Sequence, residues 1–329
     1  MKAIRIAIVL LLFGSFWALS SGCGMPRVEL KPEGQPPTLE QALKNFAYEK
    51  KPFDVQMQFM EDRPGYEIFR VTFPSYFQDQ LDAKEVVAWY YRVKDPHRRA
   101  GIIQVPILGG DYSESIWFAE FYAREGFHVL RFERKAELFE PDTGLPKTRT
   151  VLIGTVVDMQ RGLDWWETLP EIDAKRIGVS GISMGGFFSS MLLAVDDRPA
   201  AAVLMLNGGN LAKLIVISQE EEVVLVRNAY KKRTGWDDQA FYREAYKATA
   251  DLDPAVLAPR LDPKKILFVS PRFDQVVPWE LSSLWWNAAH QPRRIVIPTG
   301  HYSSVFFIFY IQKQAVEHFR RQFGYPVQQ

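Results

Sequence analysis

The chain has 329 residues, 47% of them hydrophobic and 24% charged, with a formal net charge of +1. That is enough for one large domain with an insertion or for two modest ones, and the near-zero charge gives no electrostatic basis for a nucleic-acid partner. A single cysteine excludes an internal disulfide, and with five scattered histidines it leaves no zinc-ligand spacing, so neither metal nor cofactor is expected.

Lys2 and Arg5 precede an apolar run from Ile6 to Leu19, which is followed by Ser20-Ser21-Gly22-Cys23. A basic start, a short apolar core and small residues before a cleavage point make residues 1–22 a secretory signal, too short to favour a permanent spanning helix. The cysteine after Ser-Gly resembles the lipobox of bacterial lipoproteins. The resemblance implies cleavage before Cys23, acylation of its thiol and a membrane partner reached through the lipid anchor at the cell envelope. Ser20 departs from that pattern, which usually has leucine there, and Gly24 in place of Asp implies the outer membrane in a cell that has one. Residues 23–50 begin rich in Pro and Gly (Pro26, Pro32, Gly34, Pro36, Pro37) and read as an extended tether; 51–329 read as the folded domain.

Val55–Met60 and Tyr66–Phe73 read as strands joined by a turn at Arg63-Pro64-Gly65, and Glu85–Arg92 as a third. From Gly101 buried strands alternate with helices. The order is strand Ile102–Leu108, helix Glu114–Arg124, strand Phe127–Phe132, helix Thr150–Leu169, strand Ile177–Ser180, helix Met184–Val195 and strand Ala202–Leu206. Strands Ile266–Ser270 and Arg294–Ile297 and a helix over Val305–Phe323 end the chain. Antiparallel strands followed by β-α-β alternation predict an α/β fold with a mostly parallel, doubly wound sheet.

Roughly sixty residues separate Leu206 from Ile266, far more than an ordinary connection needs. The part from about 208 to 262 reads as helical (Asn210–Val226, then Asp237–Ala250) and carries Tyr230, Trp236, Phe241, Tyr242 and Tyr246. It is expected to cap a cleft. Glu220-Glu221-Glu222 and Lys231-Lys232-Arg233 within it are expected to be solvated faces, and the apolar Val305–Ile311 to be the buried start of the last helix.

The sequence Ile177-Gly178-Val179-Ser180-Gly181-Ile182-Ser183-Met184-Gly185 joins a short apolar strand to a helix through Gly-x-Ser-x-Gly. A serine on so tight a turn is pushed out of the sheet at positive φ, and only Gly181 and Gly185 let strand and helix approach closely enough. The Met184 N–H then starts a helix, where an oxyanion would find a donor. An activated serine needs a base, and the base needs a group to orient it. Asp274 lies in the loop leaving one buried strand and His301 in the loop leaving the next, so all three leave carboxyl ends of parallel strands. Taken singly, Asp274 could cap a turn and His301 could be a loop histidine. The order Ser183, Asp274, His301 and the shared context favour the joint reading. His97, His128, His290 and His318 fit less well, being placed in a turn, a strand, before a proline and on a helix.

On Gly181-Ile182-Ser183-Met184-Gly185, Phe273-Asp274-Gln275-Val276-Val277-Pro278 and Gly300-His301, the chain from about Gly101 onward resembles the α/β-hydrolases, in particular bacterial esterases and prolyl-oligopeptidase-like hydrolases. The resemblance implies a Ser183–His301–Asp274 triad. Many members have His-Gly after the third strand where this chain has Pro106-Ile107, which makes Leu108 the implied second oxyanion donor beside Met184. The expected activity is hydrolysis of small-molecule carboxylic esters. A peptidase or amidase on the same triad, and a catalytically silent lipid-anchored binding protein, are the alternatives.

Overall fold

The computed structural model describes residues 30–32, 35–107, 112–134, 142 and 144–327. The expected signal segment, Cys23 and Leu108 lie outside the described residues. The elements below belong to the unit that begins at Pro32.

Nine strands are present among the described residues: β1 (Gln56–Arg63), β2 (Tyr66–Pro74), β3 (Glu85–Val93), β4 (Arg99–Val105), β5 (His128–Phe132), β6 (Ile172–Ile182), β7 (Pro199–Met205), β8 (Ile266–Pro271) and β9 (Arg293–Ile297). They form one sheet in the order β1-β2-β3-β5-β4-β6-β7-β8-β9. The pairs β1/β2, β2/β3 and β3/β5 are antiparallel. All pairs from β5/β4 to β8/β9 are parallel. The sheet is therefore mostly parallel with antiparallel strands at its N-terminal side, as the sequence predicts.

The helices are α1 (Leu39–Lys44), α2 (Ser113–Arg124), α3 (Leu145–Trp166), α4 (Met184–Val195), α5 (Leu211–Ile217), α6 (Glu221–Thr234), α7 (Asp238–Thr249), α8 (Pro254–Leu257), α9 (Trp279–Ala288) and α10 (Ile308–Phe323). Two cores separate along the pleat. Ile103, Val105, Val179, Leu204 and Phe268 pack toward α3, α4 and α9, while Ile102, Val203, Leu267 and Val269 pack toward α2 and α10. Strands buried on both faces need apolar residues at successive positions, which is why β4, β7 and β8 read as continuous apolar runs. No helix among the described residues is long and apolar enough to cross a membrane.

Four differences from the sequence reading stand out. First, the C-terminal part of the expected tether is folded: α1 carries a capping box between Thr38 and Gln41. Ala42 and Phe46 are buried in the core. Asn45 fixes the segment, because Arg149 Nη2 donates both to Asn45 Oδ1 and to Asp251 Oδ2 at 2.8 Å. Second, Asn210–Val226 is two helices. Ser218 is extended between them, and the Arg227 guanidinium donates to the carbonyls of Ile215, Val216 and Ser218, ending α5. Third, Glu220 is buried rather than solvated.

Fourth, the last helix begins at Ile308, after a 3₁₀ turn over Tyr302–Phe307. Val305, Phe306, Phe309 and Tyr310 are exposed while Ile311 is buried. Ile311, Ala315, Val316, Phe319 and Phe323 belong to the core beneath α10, and before them Phe307 and Ile308 pack only partly against it.

Two histidines are structural and buried. Val93 N–H donates to His128 Nδ1 at 3.1 Å, and His318 Nε2 lies 3.0 Å from the Lys265 carbonyl oxygen. Burial pushes both down to about 4 from 6.5. The unfolded chain therefore takes up protons first, so stability is fully present above pH 6.5 and falls as the pH drops toward 4. Each site is expected to cost about 3 kcal/mol over that window, at 1.36 kcal/mol per pKa unit. Denaturant midpoints measured from pH 7 to pH 4 should fall, and should fall less steeply in His318→Gln; an equal slope in the variant would exclude His318 as a contributor.

Candidate functional site

The strand order reverses at β4, whose neighbours β5 and β6 lead to opposite sides of the sheet. At such a switch point the loops leaving adjacent strands part and open a crevice. Ser183 leaves β6 at that point and opens α4, with φ 53° and ψ −121°. Its N–H donates to the Met205 carbonyl at 2.8 Å, and its own carbonyl accepts from Gly186 N–H at 2.8 Å. Strand pairing thus holds one side of the residue and the first helical turn the other.

The glycines at either side have no space for a methyl group. A Cβ on Gly181 would lie 2.1 Å from the Gly185 carbonyl oxygen, and one on Gly185 would lie 2.3 Å from the Val105 carbonyl oxygen. Met184 is the first residue of α4, where a helix leaves its N–H without an intrahelical acceptor.

Asp274 and His301 come from the loops after β8 and β9. The two loops are tied by Arg272 N–H donating to the Ile297 carbonyl and Phe273 N–H to the Thr299 carbonyl, both at 2.9 Å. Asp274 Oδ1 accepts the N–H groups of Val276 and Val277 at 2.8 Å. Its Oδ2 lies 2.7 Å from His301 Nδ1, and His301 Nε2 lies 2.9 Å from Ser183 Oγ. A carboxylate only accepts, so Nδ1 carries a proton, and in the neutral ring Nε2 is the atom left to accept from the serine hydroxyl. The structure brings Ser183, Asp274 and His301 into one chain of hydrogen bonds.

The other histidines stay away from it. Besides buried His128 and His318, His290 bonds the Pro259 carbonyl.

A pocket of about 490 Å³ opens over Ser183 and His301. Ile107, Phe118, Met205, Leu206, Ile308 and Ile311 give it apolar walls, and Glu114, Glu220, Glu221, Glu222 and Tyr302 polar ones. Ile107 adjoins Leu108, the second expected oxyanion donor, which lies outside the described residues. A separate apolar cavity of about 60 Å³ lies behind Met184, bounded by residues of α3, α5, α6 and α7.

Two pocket residues escaped the sequence reading. Tyr302 follows His301, and its hydroxyl donates to Glu220 Oε2 at 2.6 Å. Burial raises the Glu220 carboxyl above its ordinary range, helped by its hydrogen bond with Glu222, and the same bond lowers Glu222. Burial and the bond to Glu220 raise the Tyr302 phenol. A glutamate run beside lysines looks like any solvated helix face; only the stretch's position at the start of α6, facing the His301 loop, distinguishes it. No group of three or more His, Cys, Asp or Glu suited to a metal occurs among the described residues.

No protein-family model matches the chain, and no curated protein sequence does. Solved structures do. The acetyl xylan esterase of Paenibacillus sp. R4 superposes with a TM-score of 0.60 at 17% identity, over 86% of this chain and 96% of that one. Acetyl xylan esterase 1 of a Thermoanaerobacterium species gives 0.61 at 15% identity, over 84% and 96%. The acylaminoacyl peptidase of Pyrococcus horikoshii gives 0.55 at 16% identity, over 79% of this chain but 42% of that one.

The chain shares the mixed α/β fold of these esterases, with its mostly parallel sheet. In this sheet the turn after β6 has no slack, which makes Gly185 a direct test of the geometry. Gly185→Ala must displace the β4 backbone at Val105 and Pro106, and should lower stability by about 3 kcal/mol or more. Thermal and denaturant unfolding check this; an unchanged midpoint would refute the close approach.

Proposed function

We propose that the protein is a serine hydrolase of small carboxylic esters, exported and held at the cell envelope through an acylated Cys23. The observation that carries the activity is the hydrogen-bonded chain Ser183–His301–Asp274, at 2.9 and 2.7 Å, on the floor of a pocket. In this reading the Ser183 hydroxyl attacks the ester carbonyl while His301 Nε2 takes its proton. Asp274 holds the imidazole in the required tautomer and stabilises the imidazolium. Its own two backbone donors, Val276 and Val277, fix its direction.

The Met184 N–H stabilises the tetrahedral oxyanion, and Leu108 supplies the second donor. Loss of one such donor typically costs about 10²–10³ in rate. His301 then protonates the departing alcohol, and water repeats the cycle on the acyl-enzyme. We read the helices between β7 and β8 as a cap, because Glu220, Glu221 and Glu222 from that segment line the pocket with Ser183. Apolar walls at Phe118, Leu206 and Ile311 suit an acyl group, and the glutamates lining the same pocket disfavour an anionic one. The two esterases similar in fold span nearly their whole length here, whereas the peptidase does not.

A fluorophosphonate should label the wild-type protein at Ser183 and leave Ser183→Ala unlabelled. A panel of p-nitrophenyl esters of increasing acyl length should be hydrolysed, with kcat falling by about 10⁶ in Ser183→Ala and by about 10⁴ in Asp274→Asn. Labelling with ester rates below those on acyl-amides would support a peptidase, and absence of Ser183-dependent labelling a binding protein.

A further inference from the structure

The segment after His301 has two faces. Tyr302, Val305, Ile308 and Ile311 line the pocket. On the outer face Phe309 is 81% exposed, Phe306 69% and Tyr310 48%. Phe273, 66% exposed, lies on the neighbouring loop, whose backbone is bonded to Thr299. Lys313, one turn after Phe309 on the same helix face, is exposed. Three exposed aromatics within five residues mark a binding surface.

We infer that this rim docks the protein on a lipid surface, with the pocket mouth facing the bilayer. Phenylalanine rings offer water nothing and gain from the acyl boundary, tyrosines bridge into the headgroups, and a lysine at the edge of an apolar helix face suits anionic lipid. The sequence supplies the second argument. The 15 residues between Cys23 and Leu39 reach at most about 50 Å when fully extended. A body so tethered meets the membrane at high effective concentration, so a weak patch suffices to orient it. This argument rests on the envelope-anchored reading above, but the patch is tested without reference to hydrolysis.

Cys23 is the sole cysteine, so Cys23→Ser with Phe309→Cys, held on the vesicles through an N-terminal histidine tag and a nickel-chelating lipid in place of the acyl anchor, accepts one polarity-sensitive dye at the rim. Cys23→Ser with Gln58→Cys places the same dye on exposed β1, at the far edge of the sheet. On phosphatidylcholine vesicles containing phosphatidylglycerol, a blue shift at 309 and none at 58 is expected. Equal responses at both sites, or no shift at 309 in protein that cosediments with the vesicles, would overturn the inference.

In the full chain, Phe309→Asp should leave hydrolysis of a short soluble ester unchanged and slow hydrolysis of an ester embedded in the vesicles by about tenfold. Equal rates on the embedded ester would count against docking. A lipid-free dimer abolished by Phe309→Asp would assign the rim to a second copy instead. Failure of all ester hydrolysis with the dye shift intact would refute the proposed activity and spare the docking surface.

Discussion

Ser183 is held in a backbone conformation that its side chain disfavours, and the geometry of the site depends on it. At φ 53° and ψ −121° the residue lies outside the ordinary regions for an L-amino acid. Strain of this kind costs on the order of 1–3 kcal/mol and persists only where surrounding structure over-determines it. Here the determinants are the bond from Ser183 N–H to Met205 on the neighbouring strand and the close contact of Gly181 with Gly185. Neither could form without parallel β4, β6 and β7 in register. The sheet therefore supplies the conformation, and α4 follows from it.

The same sheet brings the histidine to the serine. Asp274 and His301 lie on loops after consecutive parallel strands, cross-bonded at Arg272–Ile297 and Phe273–Thr299. The 301 side is further fixed by hydroxyls: Ser303 Oγ accepts the Gly300 N–H at 3.0 Å, and Ser304 Oγ donates to the Gly300 carbonyl at 2.8 Å. An imidazole flanked by such bonds needs little reorganisation to exchange a proton, which is where preorganised sites gain their advantage over water.

Much of this was legible from residues alone, for identifiable reasons. Strands buried on both faces leave runs such as Ile266–Ser270 that few other structures explain, and Gly-x-Ser-x-Gly after such a strand marks the turn. α4 runs from Met184 to Val195, the span its pattern predicts. What escaped depends on partners distant in sequence. α1 follows a proline-rich stretch, and its docking needs Arg149 and Asp251, more than a hundred residues on. The break at Ser218 is set by Arg227 reaching back across a turn. Glu220 is buried because Tyr302 faces it, a pairing across 82 positions. The helix between β8 and β9, α9, has no counterpart in the sequence reading, because Trp279–Ala288 mixes Trp and Ser without a clear stripe.

The segment after His301 shows how one misread stretch can matter more than its length. An apolar run of seven residues before an amphipathic helix is ordinarily core. Here, however, the buried positions of α10 begin at Ile311, while Phe307 and Ile308 pack only partly against the core and Val305, Phe306, Phe309 and Tyr310 are exposed. The residues before that point must still wall the pocket with one side, so their other side is left to solvent. Pocket wall and exposed rim are thus two faces of a single turn that begins immediately after His301. Because Ser303 and Ser304 bond that turn to Gly300, whatever rests against Phe309 and Tyr310 bears on a backbone already rigid at the imidazole. Contact there can orient the mouth of the pocket without disturbing the 2.9 Å approach of His301 to Ser183.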